Sequence, residues 1–129
     1  MAERHTGSCL CGAVRFTVEG LLGEVTACHC TRCRKASGHY EAGCEVAPDA
    51  VRIEGEAALC WHAATPKARR GFCGTCGSSL FFVPAHGGWF GISMGAFDGP
   101  TGARLARHIF TADKGDYYRI TDGLPQNAQ

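Results

Sequence analysis

Residues 73–77 read Cys73-Gly74-Thr75-Cys76-Gly77, a pair of cysteines separated by two residues and followed by a glycine. This spacing lets both thiolates reach one zinc ion at about 2.3 Å. Glycine also tolerates the positive φ angles that such a tight turn needs. A thioredoxin-like redox pair has the same spacing, but it belongs to a βαβ setting, whereas the sequence here is glycine-rich and strand-like. The stretch therefore predicts one half of a structural zinc site.

The other half of this site is predicted from Cys9 and Cys11, near the beginning of the sequence. On a strand, residues i and i+2 point to the same face, so both sulfurs can meet one ion. The closed site would join the N-terminal strand to the middle of the chain. Four cysteine ligands fill a tetrahedral zinc ion, which is typical of a structural site.

A second candidate metal site consists of Cys28, Cys30 and Cys33, where a strand ends and a short helix begins. Cys28 and Cys30 share one strand face, and Cys33 returns from the first helical turn, where a helix N-terminus lowers the pKa of a thiol. Three protein ligands leave one tetrahedral position free, which is typical of a catalytic zinc. His29 is the alternative fourth ligand, although an extended segment directs its side chain away from both neighbouring cysteines.

The ligand type of this second site narrows the chemistry. Three thiolates give the zinc centre a net negative charge, so it is a weaker Lewis acid than a zinc ion held by three histidines. Such a centre is less suited to producing hydroxide than to accepting a soft ligand. The cluster therefore favours a thiol as the substrate.

Composition limits the other classes of function. The 129 residues include 18 glycines and nine cysteines, and the net charge of +1 offers no basic face for nucleic acid. No apolar run approaches the ~20 residues of a membrane span, and the first residues contain no apolar signal segment. We therefore expect a single domain over residues 1–129, with a core of about 7–126. We expect it in the cytoplasm, where cysteines are metal ligands more often than disulfides.

Short segments with alternating apolar and polar residues, separated by glycine turns, predict an all-β domain. The predicted strands are Ala13–Val18, Val51–Ile53, Ala57–Trp61, Ser79–Val83, Trp89–Ser93, Arg107–Phe110 and Tyr117–Ile120. The best helical segment is Thr31–Ser37, ended by Gly38 as a C-terminal cap. The polar tail from Gly123 to Gln129 is expected to be loose.

Basic residues near the second cluster have two interpretations. Arg32, Arg34 and Lys35 can pair with the carboxylates of an acidic thiol, or they can form a solvated helix face. The pair Arg69-Arg70, which precedes the Cys73 turn, can likewise pair with such a carboxylate, or it can lie on an exposed strand.

Four isolated residues are also left with open roles. Cys44 and Cys60 lie in strand-like segments and are predicted to be small buried hydrophobic residues, with a redox or auxiliary role as the alternative. His39 and His62 are either ordinary structural or surface histidines or groups that assist proton transfer.

The cysteine clusters, together with the residues around them, resemble the glutathione-dependent formaldehyde-activating (centromere-protein-V-like) family. The resemblance extends from about Gly7 to Gln126, in the family's order. The matching stretches are Gly7–Val14, Cys28–Lys35, Gly71–Leu80, Gly95–Asp98, His108–Phe110, Tyr117-Tyr118 and Asp122–Gln126.

This resemblance implies an Mss4-like (β-tent) domain of small sheets, with a short helix after the Cys28–Cys33 cluster. It implies two zinc ions. The structural zinc is held by Cys9, Cys11, Cys73 and Cys76, and the catalytic zinc by Cys28, Cys30 and Cys33. The implied activity is that of a carbon–sulfur lyase that joins formaldehyde to glutathione as S-(hydroxymethyl)glutathione, so a small thiol and an aldehyde are the expected partners. The alternative is a non-catalytic, zinc-stabilised binding or scaffold domain.

Overall fold

Ten β-strands in two sheets make up the part of the chain that the computed structural model describes, residues 3–129. One α-helix and four short 3₁₀ turns accompany them. The elements are β1 (Arg4–Ser8), β2 (Arg15–Glu19), β3 (Val25–Cys28), α1 (Thr31–Ser37), β4 (Glu41–Val46), β5 (Val51–Glu54), β6 (Leu59–Thr65), β7 (Ala68–Cys73), β8 (Ser79–Pro84), β9 (Phe90–Ser93) and β10 (Leu105–Ile109). The predicted all-β class with one short helix is confirmed.

The smaller sheet has three antiparallel strands in the order β1-β2-β5. Its central strand carries the alternation seen in the sequence, because Phe16 and Val18 are buried while Arg15 and Glu19 are exposed. Period-two alternation of this kind places one face on the core and the other in solvent.

The larger sheet has seven strands in the order β10-β3-β4-β9-β8-β7-β6. Its neighbours are antiparallel, except that β10 runs parallel to β3. The two sheets share one hydrophobic core, in which Phe16 of the smaller sheet meets Phe81 of the larger one edge to face, with ring centroids 5.3 Å apart. Leu80 and Ile92 complete the centre of this core, being 0% and 1% exposed.

Helix α1 has the predicted bounds, and both of its ends have an identifiable cause. The Sγ of Cys30 accepts a hydrogen bond from the Cys33 N–H at 3.3 Å, so a cysteine acts as the N-cap. Gly38 ends the helix in the left-handed conformation, with φ of 87°. Because α1 begins directly after β3, the cap and the candidate ligands of the second cluster are the same residues.

The C-terminal region differs from its predicted form. Tyr117–Ile120 was predicted as a strand, but it lies in a turn and loop, where its two tyrosines hydrogen-bond to histidines and the segment pairs with no sheet edge. The tail was predicted to be loose, but it pairs with the chain at the end of β10. Asn127 donates its backbone N–H to the His108 carbonyl at 2.9 Å, and Thr111 donates to the Asn127 carbonyl at 3.1 Å.

None of the helices over residues 3–129 is both long and apolar enough to span a membrane.

Candidate metal centres and the cavity beside them

The first cysteine cluster joins the turn after β1 to the turn between β7 and β8. The sulfurs of Cys9, Cys11, Cys73 and Cys76 all lie within 4.8 Å of one another. The distance is 3.6 Å between Cys9 and Cys11, and 3.8 Å between Cys11 and Cys73. A tetrahedral zinc ion with Zn–S distances of about 2.3 Å requires sulfurs about 3.8 Å apart. The four sulfurs therefore fit zinc without rearrangement.

Hydrogen bonds from the two turns reach the sulfurs of Cys9, Cys73 and Cys76. The Val14 N–H points to the Cys9 sulfur at 3.3 Å, and the Thr75 and Cys76 N–H groups both point to the Cys73 sulfur at 3.4 Å. A hydrogen bond with Ser78 at 3.2 Å, together with backbone N–H groups, lowers the pKa of Cys76 to about 5. Donors of this kind orient metal ligands and favour their charged form.

The strand geometry expected for Cys9 and Cys11 is wrong, since β1 ends at Ser8 and Leu10 and Cys11 lie in a turn. The Gly12 N–H closes this turn by donating to the Cys9 carbonyl at 3.1 Å. Ladder pairing cannot continue there, because the chain must reverse to enter β2. The turn still brings both sulfurs together. The predicted proximity of Cys9 and Cys11 is therefore confirmed, although their backbone is a turn and not a strand.

The second cluster lies at the end of β3 and the start of α1. The sulfurs of Cys28, Cys30 and Cys33 lie within 4.8 Å of one another. His29 points away from them, as the extended backbone predicts, and its ring bonds to His108 instead. Among residues 3–129 these three thiols thus form a group of three metal-binding side chains, one fewer than a tetrahedral ion requires. The donor set fits a zinc ion that keeps one position for an outside ligand.

Beside this cluster lies an arginine for which the sequence predicted no specific contact. Arg70 donates a hydrogen bond from Nη2 to the Cys33 sulfur at 3.4 Å, and its guanidinium packs over the Phe82 ring at 5.0 Å. The hydrogen bond with Cys28 and the one with Arg70 together lower the pKa of Cys33 to about 5. The neighbouring Arg69 is exposed and packs over Trp61 at 4.1 Å, so the predicted basic pair divides between two faces of β7.

A cavity of about 440 Å³ opens in front of the second cluster. The wall of this cavity contains all three cysteines of the second cluster. Basic groups reach the wall from Arg32, Lys67 and Arg70, and acidic groups from Glu41 and Glu45. Its apolar lining comes from Phe82, Trp89, Ile92, Ile109 and Phe110. A pocket with apolar walls and a few convergent polar groups is the usual form of a small-molecule site.

The three basic residues predicted around this cluster take different positions. Arg32 lines the cavity, whereas Arg34 and Lys35 are outside its lining. Lys35 is exposed on the opposite side of the helix from the buried Cys33. Of these three cations, the structure therefore places Arg32 where it can meet a molecule bound at the cysteines.

The two histidines with open roles, His39 and His62, lie in different surroundings. His62 lines the cavity from β6. His39 is exposed, and its Nδ1 pairs with the Tyr117 hydroxyl at 2.5 Å. His62 is therefore the one that can reach a bound ligand.

The two isolated cysteines have opposite environments. Cys44 is buried as predicted, at 2% exposure, and burial raises its pKa to about 11. Cys60 was also predicted to be buried, but it is exposed, because β6 is the edge strand of the larger sheet. Neither belongs to a metal-binding cluster of the described residues.

Glu41 is a site residue that the sequence did not indicate. It begins β4, opposite Cys28 in the strand register, and it lines the cavity. Burial raises the pKa of its carboxyl group, while the hydroxyl of Ser93 donates a hydrogen bond to Oε1. A carboxyl whose pKa is raised beside three sulfurs holds its proton to higher pH and is a candidate for proton transfer. No spacing in the sequence could reveal it, since its partner Ser93 lies on β9.

Two comparisons with known proteins bear on the family and the fold of this chain. A family model described as "Glutathione-dependent formaldehyde-activating enzyme" matches residues 4–113. The crystal structure of a Rhodobacter sphaeroides protein matches with a TM-score of 0.61 and 24% sequence identity. That match covers 78% of this chain and 99% of the other, and it shows a shared fold.

Proposed function

The chain belongs to the glutathione-dependent formaldehyde-activating family, and on this basis we propose that it is a zinc-dependent carbon–sulfur lyase. Its substrates would be glutathione and formaldehyde, or a related small aldehyde, and its product S-(hydroxymethyl)glutathione. The observation that carries the proposal is the three-cysteine cluster in the wall of a 440 Å³ cavity. A domain that only binds a partner has no need of an incomplete ligand set facing a cavity.

Two zinc ions would be held by different residues for different purposes. Cys9, Cys11, Cys73 and Cys76 would hold a structural ion, and Cys28, Cys30 and Cys33 a catalytic one. When bound there, the catalytic ion would lower the pKa of a thiol that occupies its remaining position.

The residues of the cavity would position the two substrates. Glutathione carries two carboxylates, and guanidinium groups pair with carboxylates through two parallel hydrogen bonds. Arg32 and Arg70 line the cavity and are the groups that we assign to this contact, with Lys67 beside them. Holding the thiol next to the aldehyde makes their addition effectively intramolecular.

Glu41 would complete the reaction by moving a proton. Addition forms a bond from the glutathione sulfur to the aldehyde carbon, and the electron pair of the carbonyl moves to its oxygen. That oxygen then needs a proton, which the Glu41 carboxyl in the cavity wall can supply from its protonated form, and the proton released by the thiol restores the carboxyl. In the reverse direction Glu41 takes the proton back as the carbon–sulfur bond breaks.

The experiment that tests this proposal measures exchange of ¹³C-formaldehyde between its free form and its glutathione adduct by NMR. Zinc-loaded protein should accelerate this exchange beyond the protein-free rate, and S-methylglutathione should not replace glutathione. Cys30→Ser should abolish the acceleration, whereas Cys60→Ser, an exposed cysteine outside both clusters, should retain it. Exchange that stays at the protein-free rate would favour the non-catalytic binding or scaffold alternative.

The setting of the reaction follows from the same chemistry. Both clusters need reduced cysteines, and glutathione is kept as the free thiol in a reducing compartment. We therefore propose that the protein acts in the cytoplasm on small molecules, without nucleic acid or membrane partners.

A further inference from the structure

Two histidines lie buried directly behind the three-cysteine cluster. His29 is 1% exposed and His108 is 3% exposed, and they are the buried polar side chains of the described residues. A buried polar group is unfavourable unless its hydrogen-bonding atoms find partners. The partners of these two rings therefore need to be identified.

Every ring nitrogen of the pair has a partner, and the partners form one continuous chain. His29 Nδ1 lies 2.5 Å from the Tyr118 hydroxyl, and His29 Nε2 lies 2.9 Å from His108 Nδ1. His108 Nε2 lies 2.7 Å from Asp122 Oδ2. An ionised carboxylate only accepts, so His108 donates to Asp122. For neutral rings the same direction continues along the chain, with Tyr118 donating to His29 and His29 donating to His108.

The backbone ties the same three segments together. The His29 N–H donates to the Ile109 carbonyl at 3.0 Å, and the His108 N–H donates to the Pro125 carbonyl at 2.9 Å. The middle of the cysteine loop is thus held by β10, and β10 is in turn held by the C-terminal tail.

His29 is also the residue between two candidate ligands. On the extended segment its side chain and those of Cys28 and Cys30 point to opposite sides, so fixing the ring fixes the direction of both sulfurs. Ligands held in place before the ion arrives bind it more tightly than ligands that must be ordered.

We propose that the chain Tyr118–His29–His108–Asp122 is a positioning device through which the C-terminal segment holds the Cys28–Cys30 loop ready for metal. This inference rests on the proposed function in taking the second cluster as a metal site. None of its four side chains lines the cavity, so they act through the cysteines and not on the substrate.

The test uses the full chain and Co²⁺ as the probe, because cobalt bound to thiolates reports its ligand geometry through its absorption spectrum. His29→Phe removes both ring hydrogen bonds at similar volume, and Tyr118→Phe removes one donor with almost no change in shape. The chain offers matched controls in His39→Phe and Tyr117→Phe, since this pair makes the same contact at an exposed position.

Wild type and both controls should bind two Co²⁺ per chain. His29→Phe should bind the second ion about tenfold or more weakly, and Tyr118→Phe should show the same change to a smaller degree. The first ion and its spectrum should not change. Equal affinity and spectrum for the second ion in both variants would overturn the positioning role while leaving the proposed function intact.

Two further results also decide the question. Equal weakening of both ions in Tyr118→Phe would mean that the chain supports the fold in general, which overturns the inference. Binding of one ion by the wild type would remove the metal part of the proposed function, and the inference with it.

Discussion

The two cysteine clusters use the same ligand atom in opposite ways. The first closes on itself, with four sulfurs contributed by two turns that are 62 positions apart at Cys11 and Cys73. The second draws its three sulfurs from a single stretch between Cys28 and Cys33 and faces a cavity. The first therefore links parts of the fold that would otherwise be held by fewer contacts. The second adds little to the connectivity of the chain.

Under the proposed roles, ligand count and sequence separation, more than ligand chemistry, would distinguish the structural site from the reactive one. A loop closed by a metal restricts the unfolded chain in the same way as other cross-links, and the effect grows with the length of the loop. The contrast between the clusters can be tested by removing each of them separately.

The largest difference is expected between Cys73→Ser and Cys30→Ser. Losing Cys73, which is fully buried, should lower the free energy of unfolding by more than about 4 kcal/mol, because the cross-link and its ion are lost together. Losing Cys30 should lower it by less than about 1 kcal/mol, because serine is itself a favourable N-cap and the second cluster closes no long loop. Urea unfolding of both zinc-loaded variants measures this. Equal losses would mean that both clusters are structural.

Graded chelation should remove the two zinc ions in two separate steps. A site with a free position exchanges its ion more readily than a closed one, so the first zinc should leave without unfolding the protein. Loss of the second zinc should coincide with unfolding. Elemental analysis and circular dichroism at each chelator concentration would show two steps. A single step in which both ions leave together would contradict the division of roles.

The pH dependence of stability tests the environment of Glu41, which lies beside the second cluster. Burial raises its pKa above the usual value of 4.5, so the folded state favours the neutral carboxyl. Its contribution to stability is therefore complete below pH 4.5 and is lost as pH rises through the folded pKa. Glu41→Gln keeps the neutral form, so its stability relative to wild type should increase as the pH rises above 4.5.

Thermal unfolding at equal zinc content measures this difference between Glu41→Gln and wild type. The control is Glu45→Gln, an exposed residue on the same strand, which should show no such trend. A pH-independent difference for Glu41→Gln would mean that its carboxyl does not titrate in this range.

The smallest effect concerns the substrate contact of Arg32. This residue is exposed at the cavity edge, and exposed ion pairs contribute about 0.2–1 kcal/mol. Arg32→Ala should therefore weaken glutathione binding by up to about fivefold. Lys35→Ala, on the same helix but outside the cavity lining, should leave it unchanged. Calorimetric titration of both variants distinguishes a contact in the cavity from a general effect of helix charge.

The sequence predicts the local parts of this structure well. The alternation before Glu19, the Cys-x-x-Cys turn at Cys73 and the glycine that ends α1 each depend on a few consecutive residues. Proximity of the cysteines was predicted even where the backbone type was wrong, because a Cys-x-Cys spacing brings two sulfurs together in a strand or in a turn.

Contacts between distant segments could not be predicted in this way. Arg70 meets Cys33 across 37 positions, and His29 meets Tyr118 across 89, with no period or motif to join them. The tail looked loose because it is polar, but its order comes from backbone hydrogen bonds that do not depend on residue type. Strand β4 was predicted only as a strand-like segment around Cys44, since Glu41 and Glu45 interrupt its apolar pattern.

The separation between Cys11 and Cys73 also sets an order of events on the ribosome. At a synthesis rate of about 5–20 residues per second, the first pair of cysteines emerges roughly 3 to 12 seconds before the second pair. During that interval Cys9 and Cys11 are two neighbouring thiols whose partners do not yet exist. Until the second pair emerges the first cluster cannot close, so the link between the N-terminal turn and the middle of the chain forms only after more than half of the chain has been made.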